Sequence, residues 1–77
     1  MKGTVINILE DIMMDIPDNL ESFDAIIDDG LLDSFDIVNL VNELDDEFDV
    51  DINVNHLIPE NFNSVDAICN LIKSLEE

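Results

Sequence analysis

Apolar residues recur at spacings of three and four in three separate segments of this chain of 77 residues. Such spacing places the apolar side chains on one face of an α-helix. The first segment carries Val5, Ile8, Leu9, Ile12 and Ile16; the second, from about Ser34 to Glu47, carries Ile37 or Val38, then Val41, Leu44 and Phe48; the third carries Val65, Ile68, Cys69, Leu71, Ile72 and Leu75. The sequence therefore predicts three amphipathic helices.

The ends of these helices are also marked in the sequence. Pro17 is expected to end the first helix, because the residue before a proline is pushed out of the helical region. One of Met13 and Met14 is expected to face the core. Asp33 is a good cap for the second helix, and the third is expected to be capped by residue 63 or 64, which are Asn and Ser.

The segments between the helices predict loops. Residues 17–33 are expected to form an ordered connection with a turn of helix, held against the core by Phe23, Ile26, Ile27, Leu31 and Leu32. Residues 49–55 alternate apolar and polar side chains, a pattern that a strand also shows. No other segment alternates, so we expect an extended loop with Val50, Ile52 and Val54 directed inward. A helical turn over residues 56–58 is expected before Pro59.

These elements predict an all-α fold with a single domain over residues 1–77. The expected architecture is a small antiparallel four-helix bundle, with three main helices and one short helix or turn.

Charge restricts the partners of the chain. Twenty Asp and Glu residues face two lysines, Lys2 and Lys73, which gives a formal net charge of −18. Nucleic acid is excluded as a partner, because phosphate neutralisation needs Lys and Arg. Insertion into an anionic membrane surface is excluded for the same reason. The expected partners carry basic patches, and the apolar content of 47% argues for a folded chain instead of a disordered acidic tail.

The remaining signals favour a monomeric cytoplasmic protein. No secretory signal or segment of transmembrane length is visible. Cys69 is the single cysteine, so no intramolecular disulfide is possible, and its place in an apolar stripe predicts a buried filler. His56 has no Cys or His cluster around it and is expected to be a surface or packing residue instead of a metal ligand.

Ser34 is the residue that points to a function. It lies in the segment Gly30-Leu-Leu-Asp-Ser-Phe-Asp36, at the predicted start of the second helix. Asp33 already serves as cap, and a helix N-terminus favours a phosphate on the serine oxygen. A nucleophilic serine needs an activating base, and the sequence offers none nearby. Ser34 is therefore expected to be modified by another enzyme, and we expect no catalytic residue in this chain.

These residues resemble the acyl carrier protein superfamily over essentially the whole chain. The resemblance centres on Asp33-Ser34-Phe35 and continues through Val38, Leu40-Val41, Leu44, Glu47-Phe48 and Ile52. It implies a phosphopantetheine arm on Ser34, attached from coenzyme A by a phosphopantetheinyl transferase, with an acyl or aminoacyl group held as a thioester. Asp33 would help the transferase to position magnesium. The Leu-Leu-Asp-Ser-Phe run is similar to the D-alanyl carrier proteins of teichoic acid esterification, and that branch stays open beside fatty-acid or secondary-metabolite biosynthesis.

The second helix supplies the candidate partner surface. Asp36, Glu43, Asp46 and Glu47 are expected to dock on basic patches of loading ligases and downstream transferases. Phe35, Val38 and Val41 are expected to contact the arm or a partner. Asn39 stands where fatty-acid carriers often have an acidic residue, a departure from that branch.

An acidic interaction module or calcium-binding protein without a covalent cofactor is the alternative from another class. Asp49, Asp51, Asn53, Asn55 and Glu60 occupy positions one, three, five, seven and twelve of a calcium-loop frame. Val54, however, stands where the sharp turn of that loop requires glycine, and Pro59 interrupts the exiting helix. We therefore expect no specific metal site here.

Overall fold

The computed structural model describes residues 1–13 and 16–76 and confirms the all-α fold. Its helices are α1 (Lys2–Ile12), α2 (Ser34–Phe48), α3 (Pro59–Phe62) and α4 (Val65–Glu76). Single 3-10 turns lie over Leu20–Ser22 and Val54–His56, and the described part of the chain contains no strand. None of the helices within that part has the length and apolar content needed to cross a bilayer.

The core lies where α1 packs against α2 and α4, with α3 closing one end against α4. Its fully buried side chains come from every main helix and from the connection before α2: Val5, Leu9, Ile26, Leu40, Leu44, Phe62, Val65, Ile68 and Ile72. Burial of this apolar surface is the main force that holds the bundle together. The predicted stripes of α1 and α4 supply most of it.

The first helix ends earlier than predicted. The backbone leaves the helical region at Met13 (φ −77°, ψ 134°), and this turn directs the Met13 side chain into the core, where it is 4% exposed. Ile16 lies beyond the helix and is 42% exposed, so its assignment to the buried face was wrong. Met14 lies outside the described residues.

The buried face of α2 also differs from the prediction. Leu40 is fully buried, Ile37, Val41 and Phe48 pack against the core at its edge, and Val38 is 56% exposed. The face is centred on Leu40 and Leu44 because α2 packs on α1 from that side. Val38 is therefore excluded from the core.

The connection before α2 is ordered as predicted. Ile26 and Leu32 are buried, Phe23, Ile27 and Leu31 pack against the core, and the 3-10 turn of residues 20–22 is the predicted turn of helix. The turn at residue 30 needs a positive φ (75°), which glycine adopts without strain.

Residues 49–62 contain one inward residue fewer than predicted, and the expected short helix lies later in the sequence, over Pro59–Phe62. Ile52 is buried, but Val54 is 79% exposed. The Asn55 N–H donates to Asn53 Oδ1 (2.9 Å) and starts the helical turn at Val54, earlier than predicted, which rotates this side chain outward. The short helix α3 begins at Pro59, because proline is well suited to the first helical position.

Ser64 caps α4, as the sequence allowed: the Ala67 N–H donates to Ser64 Oγ (3.0 Å).

Lys2 joins three elements, because its Nζ lies 3.2 Å from Asp66 of α4 and 3.3 Å from Glu21 of the first 3-10 turn. These hydrogen-bonded carboxylates, Asp66 foremost, raise the pKa of Lys2.

Candidate functional site

The start of α2 is held by a reciprocal pair of hydrogen bonds. The Asp36 N–H donates to Asp33 Oδ1 (2.9 Å), and the Asp33 N–H donates to Asp36 Oδ2 (3.2 Å). This capping box satisfies one free helical N–H and fixes the direction in which the chain enters the helix. The predicted cap at Asp33 is confirmed, and Asp36 proves to be part of the same cap.

Ser34 is the first helical residue and is exposed. Its position at the N-terminus of a helix of 15 residues places its hydroxyl in the positive field of the helix dipole. Since the cap is supplied by the neighbouring residue, the Ser34 side chain is free to face an open apolar groove.

This groove has a volume of about 310 Å³ and lies between α2, the connection before it and α3. It is lined by Ile27, Ser34, Ile37, Val38, Leu57, Ile58, Pro59 and Phe62. Ser34 contributes the only hydroxyl group, and none of these lining residues, all within the described ranges, has a titratable side chain. The groove can therefore shelter an apolar or neutral chain that begins at the serine oxygen, but it offers no acid or base.

The rim of the groove is unusually apolar for a surface. Val38, Leu57 and Ile58, which line the groove, are 56%, 39% and 45% exposed. Phe35, next to Ser34 in the sequence, and Val54, in the 3-10 turn before Leu57, are also exposed. A cluster of exposed apolar side chains marks a place where another molecule binds. The loop and α3 that form this rim are held together, since Asn61 Nδ2 donates to the His56 carbonyl (2.8 Å).

The opposite side of α2, which faces α1, is acidic. One shallow depression there is lined by Asp11, Ile12, Asp36, Asn39, Asn42 and Glu43, and the next along the helix by Ile8, Glu43, Asp46 and Glu47. Glu43, Asp46 and Glu47 are exposed and available to a basic partner. Asp36 is half-buried and already accepts a hydrogen bond, which leaves it less free.

The structure thus divides the predicted partner residues between two sides of one helix. Val38 lies in the groove wall with Ser34, whereas Glu43 and Glu47 face α1. Val41 packs against the core at its edge and presents little surface.

The calcium-loop frame does not produce a cluster of ligands. Asp49 ends α2 in the left-handed region (φ 54°), and Asn53 Oδ1 accepts the Asn55 N–H, so these groups hold the loop itself. Within residues 1–13 and 16–76, no three His, Cys, Asp or Glu side chains come together in a way that could hold a metal ion. His56 is half-buried, and its Nδ1 accepts the Asn53 N–H (3.2 Å).

Cys69 is partly exposed on α4, away from Ser34. Burial raises the pKa of its thiol, with a smaller contribution from nearby Asp66. The thiol is therefore kept protonated and unreactive near neutral pH.

Sequence reasoning missed the two groove residues that lead into α3, Leu57 and Ile58. The sequence predicts a helical turn at Leu57 and Ile58, and no local pattern indicates that these side chains meet Ser34 across a groove. No model of a known protein family matches this chain, and no curated protein matches it.

Proposed function

We propose that this protein is a carrier of acyl or aminoacyl groups, with a phosphopantetheine arm on Ser34. The observation that carries the proposal is the position of an exposed serine at the first turn of α2, beside an apolar groove. Modification, and not catalysis, is the use that this serine suits. The described groove residues supply no base to activate it.

Attachment would require one substitution at phosphorus. The Ser34 Oγ forms a bond to the phosphorus of the pantetheine phosphate of coenzyme A, and the pyrophosphate P–O bond breaks. Adenosine 3′,5′-bisphosphate leaves, and the serine proton goes to a base of the transferase. Once bound, the arm supplies a thiol that holds the cargo as a thioester.

The residues around Ser34 fit such an arm. The helix dipole favours the phosphate beside the first turn, and the groove accommodates neutral atoms next to it. Asp33 retains a second carboxylate oxygen besides the one that caps the helix, which magnesium of the transferase complex could use. Glu43, Asp46 and Glu47 would steer basic partner enzymes toward α2.

The experiment that tests this proposal is intact-mass analysis after incubation with coenzyme A, magnesium and a promiscuous phosphopantetheinyl transferase. The wild-type chain is expected to gain one phosphopantetheine. Ser34→Ala is expected to gain none while its helical circular dichroism is unchanged. Ser74→Ala, an exposed serine of α4, is the matched control and should gain the arm as the wild type does.

No gain with several transferases would contradict the carrier proposal. The acidic interaction or calcium-binding alternative would then be tested by calcium titration of the wild type and of Glu60→Gln, where saturable binding lost in the variant would support it.

The cargo is decided by a second assay on the modified protein. Charging by a D-alanine ligase in preference to fatty-acyl enzymes would place the protein in the D-alanyl branch. Charging by fatty-acid or polyketide enzymes would place it in a pathway of acyl-chain synthesis.

A further inference from the structure

Asn63, at the junction of α3 and α4, holds the turn that precedes Ser34. The Ile26 N–H donates to the Asn63 carbonyl (2.9 Å), and the N–H groups of Ile27 and Asp28 both donate to Asn63 Oδ1 (2.9 and 3.0 Å). In return, Asn63 Nδ2 donates to Asp28 Oδ2 (3.2 Å). One residue thus binds three consecutive residues of a distant segment.

These bonds satisfy backbone groups that the turn itself leaves free. Residues 25–31 form one helical turn, in which the Asp29 N–H donates to the Ala25 carbonyl (2.8 Å) and the Leu31 N–H to the Ile26 carbonyl (3.0 Å). The first N–H groups of a helical turn have no partner within it, and an asparagine oxygen is a favoured acceptor for them. Asn63 therefore caps this turn from another part of the chain.

The cap joins two walls of the groove. Ile27, whose N–H is bound, lines the groove on one side, and Phe62, the neighbour of Asn63, lines it on another. The held turn leads through buried Leu32 directly to the cap of α2. The position of this turn therefore determines both the width of the groove and the place of Ser34 beside it.

We propose that Asn63 is a positioning residue for the phosphopantetheine arm. It acts through the turn over residues 25–31, which it fixes against the junction of α3 and α4, and not by contact with the arm. This inference rests on the proposed carrier function, and it adds a specific residue that keeps the groove open to the arm.

The test uses a pantetheine with a solvatochromic fluorophore at its end, transferred to Ser34 from the corresponding coenzyme A analogue. In the wild type, the fluorophore is expected to emit at shorter wavelength than the free analogue, because part of the probe lies in the groove. Asn63→Ala is expected to shift the emission toward that of the free analogue. Circular dichroism checks that this variant remains helical.

Two further variants separate positioning from general loosening of the fold. The exchange Asn63→Asp with Asp28→Asn keeps an acceptor for both backbone N–H groups and reverses the direction of the side-chain hydrogen bond. It is expected to restore the wild-type emission. Asp45→Ala removes a comparable bond, from the Ile52 N–H to Asp45 Oδ1 (3.0 Å), near the far end of α2. Its emission is expected to match the wild type.

A measurement on the unaltered protein complements the variants. Loading of the arm is expected to slow amide hydrogen exchange at Ile27 and Asp28, because the arm lies against Ile27 and both N–H groups donate to the same Asn63 oxygen. This measurement remains decisive if Asn63→Ala does not fold.

Wild-type emission in Asn63→Ala, an equal shift in Asp45→Ala, or unchanged exchange at Ile27 and Asp28 after loading would each overturn the role of Asn63 while the carrier function stands. Failure of the wild type to accept the probe would instead overturn the carrier function, and the positioning role with it.

Discussion

The two sides of α2 share one helix but present opposite chemistry. On the side toward α3, Ser34 and Val38 border an apolar groove that has no titratable group among its described lining residues. On the side toward α1, Asp36, Glu43 and Glu47 line shallow acidic surfaces. The buried stripe of Leu40 and Leu44 lies beneath both.

This division separates two requirements of the proposed carrier function. The proposed arm would lie against apolar side chains of the groove, whereas an encounter with a basic partner needs charge that acts over about one Debye length, ~8–10 Å at physiological salt. Because the groove and the acidic surface lie on different sides of α2, substitutions can change one without the other.

Leu40→Ala is expected to damage both sides together. Leu40 is fully buried beneath α2, and truncation of such a leucine costs about 2–5 kcal/mol of stability. In a domain this small, the loss should unfold a large fraction of the protein. Urea denaturation followed by circular dichroism measures it. A variant with wild-type stability would show that the two sides do not depend on a shared buried stripe.

Asp33→Ala and Asp33→Asn are expected to separate the structural role of this residue from its role in loading. The alanine variant loses the acceptor for the Asp36 N–H, which costs about 0.5–2 kcal/mol. Asparagine keeps that acceptor and should retain the stability, but loses the charge that magnesium would use. Thermal melts and loading rates measure the two effects. Rapid loading of Asp33→Asn would remove the proposed magnesium role.

Val38→Asp adds a charge to the groove wall, and Asn39→Asp adds the same charge to the acidic side of α2. Val38 is 56% exposed, so its replacement should change stability by no more than about 0.5 kcal/mol. We nevertheless expect the charge in the groove wall to displace a fluorescent arm and shift its emission toward that of the free probe. Asn39→Asp, which extends the acidic side, should leave the emission unchanged. Equal shifts in both variants would contradict the functional division.

Glu43→Gln combined with Glu47→Gln is expected to slow association with a basic transferase at low salt and to have little effect at high salt. The same change should raise the melting temperature slightly, because it reduces self-repulsion in a chain of net charge −18. Stopped-flow binding and thermal melts measure the two effects. Association that is independent of these charges would locate the docking surface elsewhere.

Lys2→Met is an outside reference, because Lys2 lies on neither side of α2. The pKa of Lys2 is raised in the folded protein, so its ion pairs stabilise the fold fully below the pKa of the unfolded chain. That contribution is lost as pH rises through the folded-state pKa, above 10.5. The small difference in melting temperature between variant and wild type should therefore disappear at strongly alkaline pH. A difference that persists there would assign the effect to packing of the lysine stem.

The elements of the fold could be predicted because each depends on local sequence. Apolar spacing indicates α1, α2 and α4, and the caps at Asp33 and Ser64 follow from side chains that can accept a hydrogen bond close to their own position. Burial was predicted less well. Ile16 and Val54 have apolar side chains on plausible stripes, yet both are exposed, because local backbone turns direct them away from the core.

Local sequence is enough to specify the all-α class, the acidic surface and the serine at the start of α2. These properties follow from periodicity, composition and capping, which act over a few residues. Only the packing of the helices brings Ile27, Ile58 and Phe62 together beside Ser34. The same packing places Asn63 as the cap of a turn in another segment. Such contacts join residues far apart in the chain, and they depend on how the helices pack together, which no local pattern records.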